Sequence, residues 1–171
     1  MPAHFEKIKT GGVKVSDELV RIHIADPSPH EQGGRRLCSI LAAEKISMSF
    51  LTIDRTGGEV RTSCCIDREH EDRVRGLVQS DKALKDHARF TPAVGLLTIF
   101  PHQSQLQMLG VCLYALGKAD LMIMDLSSSL AALSFVLRSM DLKAALAALS
   151  QFFLFPSDPD HLRSTVRVRQ A

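Results

Sequence analysis

The sequence predicts an α+β protein made of two tandem ferredoxin-like units of the order βαββαβ, with antiparallel sheets and the helices on one face. Short stretches rich in β-branched residues alternate between apolar and polar side chains, as strands do when one face is buried. Between them lie stretches with apolar residues three and four positions apart, which is typical of amphipathic helices. The order of these stretches recurs at an offset of about 75 residues, so that Ile22 corresponds to Leu97 and Ile46 to Leu121.

The first unit is predicted at residues 11–90, after an N-terminal arm at residues 1–10 that we expect to be flexible. Its first strand reads VRIHIA, in which apolar and polar residues alternate. The glycines of Thr56-Gly57-Gly58 tolerate positive φ and predict a hairpin turn. The predicted elements are, in order, a strand at 20–25, a helix at 35–44, strands at 46–54 and 59–66, a helix at 69–80 and a short strand at 84–90.

The second unit, predicted at residues 91–155, repeats this order around a serine turn at residues 127–129. Its predicted elements are a strand at 94–100, a helix at 106–116, strands at 121–126 and 130–137, and a helix at 141–153. The C-terminal tail at residues 156–171 contains an alternating stretch that could add a final strand to one sheet, as could residues 12–15; a frayed terminus is the alternative. One unit of roughly 70 residues has a thin core and an exposed sheet edge, so we expect the two units to associate.

Composition and charge exclude several classes of protein. Apolar residues make up 45% of the chain and charged residues 23%, which is typical of a folded globular protein. A formal net charge of +2, with scattered basic residues, argues against nucleic acid as a partner. No apolar run reaches the roughly 18 residues that span a bilayer, and residues 1–10 lack the apolar segment of a signal peptide, so we expect a cytoplasmic protein with no membrane partner. The cysteines and histidines show neither disulfide-framework nor metal-ligand spacing, so we expect no metal and no cofactor.

Three segments resemble the paired ACT domains at the C-terminus of aspartokinases. The stretch LMIMDLSSSLAALSFVL at residues 121–137 is similar to the family's strand, serine/threonine turn and strand, and DLKAALAALSQFF at residues 141–153 is similar to the helix that follows. Residues 11–34, GGVKVSDELVRIHIADPSPHEQGG, resemble the family's Gly-Val strand and the proline–glycine loop before its first helix. The resemblance covers residues 11–155 and implies the ACT-type version of the ferredoxin-like fold.

The resemblance also implies a ligand site. In that family a small effector, usually an amino acid, binds at the loop after the first strand and at the first turn of the next helix, where helix N–H groups can hold its carboxylate. The implied ligand-binding residues are Asp26, Ser28, Glu31, Gly33 and Gly34, with Asp54 at a position where the family has an amide that contacts the effector, and His102, Gln103 and Ser127 in the second unit. Ordinary loop chemistry is the alternative for the first group, because glycines turn, prolines stiffen and Asp26 can cap a helix.

The second unit departs from the family pattern. Met108 stands at the family's glycine position, and Leu130 and Ala132 stand at its acidic and basic positions after the serine turn. These departures favour a structural role for the second unit. They also argue against lysine and threonine, the family's usual effectors.

The expected function is that of a non-catalytic regulatory or sensor protein, which binds an amino acid effector and works as a homodimer or with a partner enzyme subunit. The family's kinase domain is not part of the resemblance, and Thr10-Gly11-Gly12 lacks the spacing and the lysine of a phosphate-binding loop. One alternative is a degenerate ACT scaffold used only for dimerisation or protein–protein interaction. Another is a small enzyme that would use His23, Asp54 or Cys64 as acid, base or nucleophile.

Overall fold

The computed structural model describes residues 6–26, 32–100 and 106–156, and its chain divides into two compact units. The central unit is Glu18–Val94, and the flanking unit combines Met1–Asp17 with Gly95–Ala171. The strands are β1 (Ile8–Lys9), β2 (Gly12–Val15), β3 (Leu19–Asp26), β4 (Phe50–Thr56), β5 (Glu59–Asp67), β6 (Ala88–Phe100), β7 (Asp125–Ser128), β8 (Leu133–Arg138) and β9 (Phe153–Leu154). The α-helices are α1 (Gly33–Ala43), α2 (Glu71–Ser80), α3 (Leu106–Lys118) and α4 (Leu142–Leu149).

The central unit has an antiparallel sheet in the order β4-β5-β3-β6. Ile22 lies opposite Cys64 on one side and Phe90 on the other, which fixes the register of three strands. Successive strand residues point to opposite faces, so the fully buried residues of β3 share one face of the sheet. They pack with apolar residues of both helices, among them Leu37 of α1 and Val74 of α2. Both helices therefore cover the same face.

The flanking unit has the same layered construction around a second core. Its strands follow the order β7-β8-β6, and β2 pairs with the other edge of β6 with Val13 opposite Ile99. The core contains residues of both helices and of the sheet, including Cys112, Phe135 and Leu149. A short parallel pair of β1 and β9 adds to this unit. No helix within the described residues is long and apolar enough to cross a membrane.

The predicted combination of antiparallel sheet and helices is confirmed, whereas the unit boundaries differ from the prediction. Residues 11–17 were predicted in the first unit, but Gly12–Val15 pairs with β6 of the flanking unit. Ile8 and Lys9, predicted within a flexible arm, form β1 and pair with Phe153 and Leu154. The predicted final strand in the C-terminal tail lies outside the described residues.

Several predicted element ends also differ, because side chains close turns that hydrophobic periodicity does not reveal. The strand predicted at residues 84–90 begins only at Ala88, since the Asp81 carboxylate accepts the Ala83 N–H at 2.9 Å and holds a turn there. It then continues as one strand to Phe100, where two separate strands were predicted. The predicted serine turn lies later, because the Ser129 hydroxyl accepts the Ala132 N–H at 3.1 Å.

Candidate ligand-binding site

A cleft with a volume of about 520 Å³ opens at the start of α1 in the central unit. It lies among the end of β3, the first two turns of α1 and the turn that follows α2. This volume falls in the range of small-molecule sites in proteins. The residues that line this α1 cleft are Asp26, Gln32, Gly33, Arg35, Arg36, Ser39, Ala83 and His87.

Asp26 ties the end of β3 to the start of α1. Its side chain is buried, with the residue only 1% exposed, and its Oδ2 accepts the Gly33 N–H at 3.1 Å. A carboxylate in this position satisfies one of the N–H groups that lack a partner within the helix and complements the helix dipole. The prediction that Asp26 caps a helix and the prediction that it lines a ligand site are therefore compatible.

Gly33 and Gly34 belong to the first turn of α1 and not to the loop in which they were predicted. A Cβ atom at Gly33 would lie 2.5 Å from Oδ1 of Asp26, and one at Gly34 would lie 2.1 Å from Oγ1 of Thr62. The two glycines are thus required because the helix start lies directly against strands β3 and β5. Gly33 also lines the cleft, so the first turn of α1 borders it.

Thr62 is a site neighbour that the sequence did not indicate. It lies in β5 opposite Ile24 and is 1% exposed, and its hydroxyl has no hydrogen-bond partner within the described residues. A buried hydroxyl without a partner is uncommon in folded proteins. In the sequence, Thr62 is only a threonine at a strand position that faces the core. Threonine is common in strands of many kinds, so its presence does not indicate a site.

The wall of the cleft carries two arginines from the first turn of α1. Arg35 donates from Nη1 to the neutral amide oxygen of Gln32 at 3.2 Å. Arg36 forms an ion pair with Asp81 on the turn after α2. The hydrogen bond from the Arg36 guanidinium lowers the pKa of the Asp81 carboxyl below its usual range. Among the described residues, the lining of the cleft therefore includes two guanidinium groups and one carboxylate.

The other residues implied by the resemblance lie elsewhere. Asp54 is exposed on β4 opposite Arg61, and its carboxylate accepts the Thr56 hydroxyl at 2.9 Å. Its register places it on the sheet face away from the helices, outside the cleft. Ser127 belongs to β7 of the flanking unit, opposite Ser134. Ser28, Glu31, His102 and Gln103 lie outside the described residues.

Three described positions of the flanking unit that correspond to this site carry apolar residues. With the offset of about 75 residues, Gly33 corresponds to Met108, Gly34 to Leu109 and Arg36 to Val111. Met108 is 2% exposed and belongs to the core of the flanking unit, and Leu109 and Val111 pack against that core. The start of α3 therefore carries apolar side chains where α1 has its two glycines and Arg36.

The residues considered for catalysis do not come together. Cys64 is fully buried on the helix side of the sheet, and burial raises the pKa of its thiol to about 12, so the reactive thiolate is disfavoured. His23 and Asp54 lie on the opposite face, in strands separated by β5. None of the three lines the α1 cleft.

One group of described residues has the close spacing of metal ligands. Asp67, Glu69 and His70 bring their ligand atoms within 4.8 Å of one another just before α2. Both carboxylate residues are exposed, and His70 Nε2 lies 3.4 Å from Glu69 Oε1. Exposed acidic groups commonly cluster in this way without an ion.

No protein-family model matches the chain, and no curated protein is significantly similar to it in sequence. Solved structures with the same fold exist. The ligand-free regulatory subunit of aspartate kinase from Thermus thermophilus has a TM-score of 0.73 at 14% identity, over 85% of this chain and 99% of that one. The regulatory subunit of aspartate kinase from Thermus flavus gives a TM-score of 0.74 with the same identity and coverage.

A third similar structure, aspartate kinase from Synechocystis, has a TM-score of 0.73 at 14% identity. The match covers 91% of this chain and 29% of that chain. Identities this low show the fold alone. At that level, the resemblance to the regulatory region of aspartokinases is confirmed.

Proposed function

We propose that this chain is a non-catalytic regulatory protein, built from two ACT-type ferredoxin-like units, that binds an amino acid in the α1 cleft. The observation that carries this proposal is a buried carboxylate beside a helix N-terminus and a basic wall. An α-amino acid has one ammonium and one carboxylate, so Asp26 can attract the first group while Arg35 and the N–H groups of α1 attract the second.

The two-unit architecture is supported by the strand order. Numbered within the central unit, the sheet order is second, third, first and fourth strand, which is the ferredoxin-like order. In the flanking unit, β6, β8 and β7 follow the same arrangement, and β2 from the N-terminal segment supplies the strand beside the first. We accordingly propose residues 18–94 as one ACT-type unit and residues 6–17 with 95–156 as the other.

Regulation requires that the effector bind two conformations with different affinity. Two of the similar structures are regulatory subunits of aspartate kinase. We therefore propose that the chain acts as a homodimer or on a partner enzyme subunit, and that ligand binding at the α1 cleft changes the stability of that assembly.

Binding of the twenty amino acids, measured by calorimetry and thermal unfolding, tests the proposal. A ligand of about ten heavy atoms at roughly 0.5–0.7 kcal/mol per atom would have a Kd between about ten and a few hundred micromolar. At 100 times its Kd it should add about 2.7 kcal/mol to the free energy of unfolding. That is a rise of about 5–10 °C in the unfolding temperature. No response to any amino acid would overturn the proposal.

The variant Asp26→Asn tests whether the cleft is the site. Asparagine keeps an oxygen that can accept the Gly33 N–H and removes the negative charge, so we expect the fold to persist and the Kd to rise about tenfold or more. Asp54→Asn is the matched control, because this exposed aspartate lies outside the cleft. Equal weakening by both substitutions would argue against the assigned site.

A degenerate scaffold is the second candidate function, favoured by the apolar start of α3. The flanking unit also exposes large apolar side chains on α3, with Leu113 41% and Tyr114 60% exposed, as interaction surfaces do. In that case light scattering would show a stable oligomer whose unfolding temperature does not respond to any amino acid.

A further inference from the structure

We infer that strand β4 of the central unit pairs with β4 of a second copy of this chain, antiparallel and across a two-fold axis at Ile53. This inference rests on the homodimer named in the proposed function and assigns its interface. It follows from the place of β4 in the sheet, from the side chains that β4 exposes and from the pairs that its sequence forms with itself.

Strand β4 lies at the edge of the central sheet. Its seven residues pair with β5 on one side, and no described strand pairs with the other side. The outer backbone N–H and C=O groups of such a strand can bond to a further strand. Features that usually block this pairing are scarce, because β4 contains neither proline nor lysine and its register with β5 is continuous.

The side chains of β4 form an apolar patch beside this edge. Leu51 lies opposite Cys64, and Ile53 lies opposite Thr62, so both point to the side of the sheet that carries the helices. Leu51 is nonetheless 40% exposed and Ile53 63% exposed. Apolar side chains on an exposed edge strand mark a surface that a partner covers. A second strand with the same side chains at this edge would bury both.

The sequence of β4 forms favourable pairs with a second copy in one register. In an antiparallel pair with two-fold symmetry, opposite side chains share a face, so one residue must lie opposite itself. An axis at Ile53 places Leu51 opposite Arg55 of the second copy, and the apolar stem of the arginine can cover the leucine. It also places Thr52 opposite Asp54 of the second copy, where the hydroxyl can donate to the carboxylate.

The neighbouring registers are less favourable. An axis at Asp54 would bring two like charges directly opposite each other. An axis at Thr52 would bring the Asp54 carboxylate opposite the buried Phe50 side chain. The preferred register therefore joins edge hydrogen bonds, apolar cover and compatible charges, and a second copy supplies all three.

Sedimentation velocity across a dilution series tests the inference with two substitutions of one residue. We expect the unmodified chain to form a dimer that dissociates on dilution. Leu51→Lys places a positive charge opposite Arg55 of the second copy, whereas Leu51→Glu places a negative charge there. Since two-fold symmetry creates this pair twice, the glutamate variant should dimerise about tenfold or more tightly than the lysine variant.

Leu113→Lys and Leu113→Glu are the matched controls. Leu113 is 41% exposed, almost as much as Leu51, and lies on α3 in the flanking unit. Both substitutions should leave the dissociation constant of the dimer unchanged, and circular dichroism checks that every variant is folded. A dimer that the Leu113 substitutions weaken and the Leu51 substitutions do not would overturn the inference.

The outcomes distinguish this inference from the function on which it rests, because amino acid binding is measured separately by calorimetry. A chain that stays monomeric, or a dimer that forms equally well with either charge at position 51, refutes pairing through β4. If such a chain binds an amino acid, the sensor function stands without this interface. A dimer with the expected charge dependence that binds no amino acid would keep the interface and refute the sensor function.

Discussion

Gly34 lies where helix α1 meets strand β5, and its missing side chain determines how closely the two can approach. An added methyl group would lie 2.1 Å from the Thr62 hydroxyl and 2.9 Å from the Thr62 Cβ atom, so either the helix or the strand would have to move. We expect Gly34→Ala to lower the free energy of unfolding by about 1–3 kcal/mol. Urea unfolding followed by circular dichroism measures this change.

Gly76→Ala is the matched control for this substitution. Gly76 lies inside α2 with open space around the position of a Cβ atom, so alanine should stabilise the helix by about 0.5–1 kcal/mol. Equal effects of the two substitutions would contradict the close contact between α1 and β5.

The ion pair of Arg36 and Asp81 should make the stability depend on pH. Arg36 lowers the pKa of Asp81 in the folded chain, so the pair stabilises the fold above the ordinary aspartate pKa. This contribution is lost as the pH falls through the lower folded-state pKa. We expect Arg36→Gln to cost about 0.2–1 kcal/mol at pH 7, a small value because the Arg36 side chain is 60% exposed.

Urea unfolding across the acid range measures this effect. The free energies of the unmodified and Arg36→Gln proteins should converge as the pH falls below the folded-state pKa of Asp81. Arg61→Gln serves as the control. It removes the ion pair of Arg61 with Glu59, in which both side chains are exposed. A difference that stays constant across the acid range would contradict the assigned cause.

At the residue scale, the family resemblance pointed to part of the cleft lining. It implied Asp26 and Gly33, and both residues line the α1 cleft. Arg35, Arg36 and His87 were missed, since exposed basic residues of a helix are usually solvated and nothing local distinguishes these. Thr62 was missed because it lies 28 positions after Gly34 in the sequence, and only the folding of the sheet brings the two residues together.

At the scale of elements, β2 completes a sheet that is distant from it in sequence. Gly12–Val15 pairs with the end of β6, and Val13 is 2% exposed in the core of the flanking unit. We expect Val13→Ala to destabilise the flanking unit by about 1–3 kcal/mol. Hydrogen exchange should therefore become faster at residues 97–100 and in β8.

The same experiment contains its own reference. The strands β4 and β5 belong to the central unit, so their exchange should change much less than that of the flanking unit. Faster exchange in β4 and β5 with an unchanged β8 would contradict the division of the chain.

Periodicity predicted the helices and strands well, but their ends depend on other interactions. From Val20 to Asp26, the residues of β3 alternate between buried and half-buried, which is the pattern that the sequence shows. The end of α4 differs from the predicted one because the Phe152 N–H donates to the Leu149 carbonyl at 2.9 Å in a turn and Phe153 enters β9. Such turns and long-range pairings carry no periodic signal.

At the scale of the whole molecule, the repeat predicts two similar units but not an equal role for them. The central unit keeps a polar cleft, whereas the flanking unit fills the corresponding position with Met108, Leu109 and Val111. This asymmetry suits a protein in which one unit binds the effector and the other supplies packing surface. Comparison of the two units in the sequence reveals that the second unit lacks the glycines, but it does not reveal the cleft of the first.

The central claim is that an amino acid binds in the α1 cleft. Amide chemical shifts recorded during titration with glutamate, aspartate and the neutral amino acids test it most directly. We predict saturable shifts that concentrate at Gly33, Gly34, Arg35, Arg36 and residues 83–87. Saturable shifts confined to other parts of the chain, or none with any amino acid, would contradict the claim.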